Sequence, residues 1–266
     1  MFAPSLTELA NKYGTDKGTE GPSDQWGAHN YTDVYEPYFE KLRFAPINLL
    51  EIGLGVHGEN WPTRIAHGRN PQGGASLKTW YDYFPNAAIY GADINAAPHL
   101  DNDRIKTFVF DQGNAQQLQA FANSINNIQF DIIVEDGSHR PDHQQITLGF
   151  FFKMLKSGGL YIVEDLMDNG LGDDLEEAGL HACGDFKKTR TVLKEFQKTG
   201  KFGTPHALLD PDYLAKNIEN LRFHVPHRVA VVEKVRWKRV KARIVGARTR
   251  LRWQPDSEKL CIIRKK

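Results

Sequence analysis

Five short apolar runs, each ending in an acidic residue, constrain this chain more than any other feature. They read INLLEIG from residue 47, AIYGADI near 88, KTFVFDQ, FDIIVEDGSH and GLYIVEDL, and their acidic ends are Glu51, Asp93, Asp111, Glu135-Asp136 and Glu164-Asp165. Each run spans four to seven residues rich in β-branched and aromatic types, the length and chemistry of a strand buried on both faces. Helical stretches alternate with them: ASLKTWYDYF, NAQQLQAFANSI, and DHQQITLGFFFKML closed by SGG. Strands alternating with helices predict an α/β fold with a doubly wound, mostly parallel sheet. Two more strands are expected at HRVAVVEK and KLCIIRK, the end of the chain adding an antiparallel pair. Ahead of the first run, residues 1–46 are expected to form a helical cap, and 47–266 the main domain with a basic insertion at about 235–253. In the cap, SLTELANKYG reads as a short helix, and Tyr31, Val34, Tyr35, Tyr38, Phe39 and Leu42 share one face of a second.

In open α/β sheets ligands bind beyond the carboxyl ends of the strands, so the acidic ends are candidate binding groups; the competing reading is that they cap the helices that follow. Gly53-Leu54-Gly55-Val56-His57-Gly58 fits G-x-G-x-x-G. A nicotinamide dinucleotide wants a helix N-terminus directly after the glycines and an acid about 20 residues on. Here a long loop intervenes, Asp93 is distant, and Glu51 would repel a pyrophosphate. The same carboxylate suits a ligand carrying a cationic amine and a sulfonium, which Gly53 and Gly55 let the backbone approach. Asp93 is placed for ribose hydroxyls, and Asp111 or Gln112 for a base edge. Ser76 either contacts such a ligand or is a helix N-cap.

Net charge is +1, with 40% hydrophobic and 25% charged residues, as in an ordinary soluble domain. Two cysteines, Cys183 and Cys261, fit a reducing compartment. No secretion signal and no apolar run of about 20 residues is read, so a cytoplasmic protein without membrane contact is expected.

Taken in order, LLEIGLG, GGASLKTWYDYFPNAAIYGADI, RIKTFVFDQG, FDIIVEDGSH and GGLYIVEDL, with LANKYGTDKG and HNYTDVYEPYF before them, resemble the macrocin and mycinamicin sugar O-methyltransferase family over residues 6–166. The resemblance implies a class I methyltransferase fold, Rossmann-like and seven-stranded with an antiparallel C-terminal strand. It implies S-adenosyl-L-methionine and Mg2+ as cofactors, a small-molecule acceptor hydroxyl of sugar or polyol type, and a homo-oligomer. It places Mg2+ on Asp136, Glu164 and Asp165, and a proton-accepting base at His139. Hard oxygen ligands suit that ion, and the ordinary pKa of histidine suits that role; the alternative for His139 is a turn residue capping the next helix. Lys12–Lys17 closes over the cofactor or forms a helix C-cap and turn; Tyr31 contacts the cofactor or, the favoured reading, sits in the aromatic cap. His57, His67 and His143 are read as surface residues. The chain departs from the family pattern at His57, where a third glycine is usual, and at Glu135, where the family has aspartate.

Two other function classes are weighed against this. Lys234–Arg252, flanked by Trp237 and Trp253, is basic and aromatic enough for an RNA methyltransferase, although a solvated connection is preferred and no nucleic-acid partner is expected. A non-catalytic scaffold would have little use for clustered acids.

Overall fold

The computed structural model describes residues 3–21, 27–58, 70–166, 186–226 and 258–266. Their elements are, in order, α1 (Leu6–Tyr13), α2 (Tyr31–Phe39), β1 (Asn48–Ile52), α3 (Ala75–Tyr83), β2 (Ala88–Asp93), β3 (Ile105–Val109), α4 (Ala115–Ser124), β4 (Phe130–Glu135), α5 (Pro141–Phe151), β5 (Leu155–Val163), α6 (Thr189–Thr199), α7 (Pro211–Asn217), β6 (Ile218–His224) and β7 (Leu260–Lys265). One seven-stranded sheet has the order β3-β2-β1-β4-β5-β7-β6. β1 to β5 pair in parallel, and β7 runs antiparallel to both neighbours.

Adjacent strand residues alternate between two apolar layers, which is why the strands read as unbroken hydrophobic runs. Leu49, Ile132, Leu160 and Ile162 face one layer, where Leu6 and Leu9 of α1, Tyr31, Tyr35 and Phe39 of α2 and Trp80 of α3 are buried. Leu50, Ile133, Tyr161 and Val163 face the other, built from α4 to α7 through Phe121, Phe151, Val192, Leu193 and Leu214. The two N-terminal helices thus lie on the same face of the sheet as α3. On α2 the expected face is buried: Tyr31, Tyr35 and Phe39 are fully covered, Val34 and Tyr38 pack at the edge of the layer, and Leu42 packs there from the turn just beyond the helix.

Two boundaries differ from expectation. The sixth strand is Ile218–His224, whereas the expected HRVAVVEK segment lies outside the described residues, as does the basic stretch 235–253. SGG does not stop a helix: α5 ends at Phe151, and Ser157-Gly158-Gly159 lies within β5, where the pairing with β4 shifts register between Phe130 and Ile132. Gly158 sits at φ 77°, so its glycine serves a strand irregularity.

Candidate functional site

The parallel register brings Glu51, Asp93, Glu135, Asp136, Glu164 and Asp165 to one edge of the sheet. Gly53 leaves β1 at φ 93°, and a Cβ there would lie 2.1 Å from the Asp136 carbonyl oxygen. The loops after β1 and β4 can therefore touch only through a glycine. The Asp93 carboxylate is buried beside them and accepts from the amides of Leu54 (2.8 Å) and Asn95 (2.9 Å), which fixes the glycine loop to β2. Burial pushes its pKa up against those bonds. Gly55, at φ 67°, has no atom of the described residues within 4 Å of its would-be Cβ.

Gln112 bridges β3 to β4: its amide nitrogen donates to Glu135 Oε1 at 2.8 Å and its carbonyl accepts from the Ser138 amide at 2.7 Å. Asp111 accepts from the Gly113 amide at 2.8 Å and is less buried. Ser76 is not the N-cap of α3; Gly74 holds that position, and the Ser76 hydroxyl helps to hold Glu51 ionised. Burial nevertheless raises both Glu51 and Glu135 to about 7.

The acids after β4 and β5 are held by donors from the N-terminal segment. α1 opens with a reciprocal capping box between Ser5 and Glu8 and ends at Gly14, φ 71°, whose left-handed backbone turns the chain inward. Three residues later Lys17 is buried, its ammonium bonded to Asp136, 2.7 Å from Glu164 Oε2 and 3.6 Å from Glu51 Oε1. Burial alone would lower its pKa, but Asp136, Glu164 and Glu51 outweigh it and hold Lys17 well above the usual lysine value. The Tyr35 hydroxyl donates to Glu164 Oε1 at 2.5 Å, and the Tyr31 hydroxyl to Asp165 Oδ1 at 2.5 Å. Trp80 Nε1 donates to Glu51 Oε2 at 2.9 Å.

His139 and Asp165 both adopt left-handed backbone, at φ 58° and 47°, which non-glycine residues enter at a cost. His139 Nε2 lies 3.7 Å from Asp165 Oδ2, and His29 Nδ1 lies 3.7 Å from Asp165 Oδ1. Burial by itself would raise Asp165, but His29, His139 and the Tyr31 bond hold it well below the usual carboxylate range. The N-cap of α5 is Arg140, and the buried His139 Nδ1 has no hydrogen-bond partner among the described residues.

Ligand atoms of Asp136, His139 and Asp165 lie within 4.8 Å of one another. The two carboxylates are hard oxygen ligands of the kind a small divalent cation takes, and the imidazole stands beside them. Glu164 is adjacent, with one oxygen on Lys17 and the other on Tyr35. Tyr35, Trp80 and His29 carry no signal in the sequence that marks them as site residues, and the signal for Lys17 is its place in the KYGTDKG stretch.

No family model matches the chain. Curated relatives do. The mycinamicin VI 2''-O-methyltransferase of Micromonospora griseorubida is 32% identical over 240 residues, 88% of this chain and 53% of that protein. The demethylmacrocin O-methyltransferase of Streptomyces fradiae is 31% identical over 238 residues, 87% of this chain and 53% of that protein. The chain spans about half the length of the curated relatives it matches over most of its own. Among solved structures, the MycE methyltransferase from the mycinamycin biosynthetic pathway, in complex with Mg and SAH, superposes with a TM-score of 0.64 at 25% identity, covering 99% of this chain and 55% of that one. The chain is thus a homologue of the macrocin and mycinamicin sugar O-methyltransferases, built on the class I methyltransferase fold.

Proposed function

We propose that this protein is an S-adenosyl-L-methionine-dependent, Mg2+-dependent O-methyltransferase that acts on a sugar or polyol hydroxyl of a natural product. The observation that carries the reading is the convergence of His139 with Asp136 and Asp165 at the strand ends, beside Glu164. Relatives with this shared region methylate sugar hydroxyls by name, and MycE has been solved with Mg and SAH.

On the cofactor side, Gly55 leaves room for the ligand and Gly53 lets the loop after β4 close in beside it. Glu51 faces its cationic end with Ser76 at its flank. Asp93, fixed by backbone amides of the glycine loop and of Asn95, is the acceptor that faces the ribose hydroxyls. Gln112 is committed to Glu135 and Ser138, so Asp111 is the better reader of the base edge. Tyr31, with its hydroxyl on Asp165, supports the acceptor side from within the cap.

On the metal side, Asp136, Glu164 and Asp165 would hold Mg2+, which lowers the pKa of an acceptor hydroxyl when bound. His139 stands beside Asp165 to take the hydroxyl proton, and its strained backbone aims the imidazole into the site. The Asp165 carboxylate stabilises that imidazole once it is protonated. Residues 1–46 serve as the cap over this catalytic domain, 47–266, in a cytoplasmic homo-oligomer; no described helix is long and apolar enough to cross a membrane.

The test is calorimetric titration with S-adenosyl-L-methionine, with and without Mg2+, followed by turnover on a rhamnosylated tetracenomycin. Cofactor binding and methylation that a chelator stops and Mg2+ restores are expected. No binding at millimolar cofactor refutes the reading.

A further inference from the structure

The acids assigned to the divalent ion already have a cation of their own. Among the described residues two lysines are buried. Lys265 donates to the carbonyl oxygens of Lys153 and Leu155. Lys17 alone of the two enters the carboxylate cluster, bonded to Asp136 and to Glu164 and facing Glu51.

Its placement is built into the backbone. The Thr32 amide, in the first turn of α2, donates to the Lys17 carbonyl at 3.0 Å. The His29 amide donates to the Asp16 carbonyl at 2.7 Å, and the Asn30 amide to that of Gly18 at 3.0 Å. Residues 16–18 are therefore laid against the start of the same helix that supplies Tyr31 and Tyr35. At Gly18 a Cβ would lie 2.2 Å from Asn11 Oδ1, so the chain passes close against α1 directly after the lysine.

We propose that Lys17 sets the affinity of the metal site, its ammonium competing with the divalent ion for Asp136 and Glu164. This rests on the metal reading above. Two cations at one buried cluster repel each other more strongly than they would in water. The ammonium is tethered, so it is present at every metal concentration. Lys17 thus weakens divalent-ion binding at the cluster, because the ion must share Asp136 and Glu164 with a charge that cannot leave.

The experiment is calorimetric titration of the full chain with Mg2+ and Mn2+, without cofactor or acceptor, in wild type, Lys17→Gln and Lys17→Arg. Lys17→Gln should bind divalent ions at least about tenfold more tightly, and Lys17→Arg, which keeps the charge, within about threefold of wild type. Wild-type or weaker affinity in Lys17→Gln overturns the inference. If Lys17→Gln does not melt cooperatively in chelator, Mg2+ should restore its transition, because the ion replaces the lost cation; failure to restore it also overturns the inference. Should Lys17→Gln bind metal where wild type does not, competition is upheld and the metal's part in the wild-type reaction is what falls. Should neither bind, both readings fall.

Discussion

Gly53→Ala tests the contact on which the whole site is assembled. In the native chain Gly53 occupies φ 93°, and an added Cβ would lie 2.1 Å from the Asp136 carbonyl oxygen and 2.6 Å from the Gly137 Cα. Both neighbours are backbone, so neither can swing aside. Left-handed backbone at a residue with a Cβ costs about 1–2 kcal/mol, and forcing an extra methyl into a packed contact adds about 1–3 kcal/mol. The expected loss is about 2–5 kcal/mol. Gly55→Ala is the internal control: its φ is 67° but no atom of the described residues lies within 4 Å, so only the backbone share, about 1–2 kcal/mol, applies. Urea unfolding reads the difference. With a slope of about 3 kcal/mol per molar, Gly53→Ala should move the midpoint down by about 1 M and Gly55→Ala by about half that. Equal midpoints for the two variants would refute the argument that the β1 and β4 loops meet through this hydrogen-sized gap.

Three other outcomes follow from the site. Tyr35→Phe removes a buried donor from Glu164 Oε1 and should cost about 1.5–3 kcal/mol in urea unfolding, with no change expected if that bond is unimportant. His139→Ala should lower turnover by about 10²–10⁴-fold while calorimetry shows nearly unchanged cofactor affinity; undiminished turnover would exclude it as the base. Glu135 is raised from 4.5 to about 7 in the folded protein, with burial the main cause. Between those values the native state keeps a proton that the unfolded chain has lost, so this group's contribution to stability falls as pH rises from about 4.5 to about 7, by at most about 3 kcal/mol. Glu135→Gln should therefore gain on wild type between about pH 5 and pH 8 in urea titrations, and a constant difference would show that the group does not titrate in that window.

The five acid-ended strands were legible because a strand covered on both faces must be apolar throughout, and polarity returns only where it ends. β6 was hidden: IENLRFH buries Ile218 and Leu221 but exposes Glu219 and Asn220 between them, and it follows α7 with no glycine or proline to mark the change. The glycines of SGG are ambiguous in sequence because a helix stop and a strand bulge both call for the same residue. On the cofactor side, local spacing was enough to nominate Glu51, Gly53 and Asp93. Lys17 was different in kind. Its partners Asp136 and Glu164 are 119 and 147 residues away, and no periodicity or spacing within residues 12–17 encodes which distant carboxylates a lysine will meet. Tyr31 and Tyr35 were read as apolar surface on a helix face, which they are; their hydroxyls bond Asp165 and Glu164 as well.

The position of β7 has a consequence for the order in which this site can be made. β7 lies between β5 and β6, and the amide of Leu166, next to Asp165, donates to the Lys259 carbonyl at 2.8 Å. During synthesis β1 to β4 and the glycine loop can pair as they emerge, whereas one edge of β5 stays open until residues 259–265 have been made. Closing that long-range pairing is slow relative to local contacts. The cofactor half of the site is therefore the older part of each newborn molecule, and the acids of the metal half reach their final footing only when the sheet accepts its antiparallel strand.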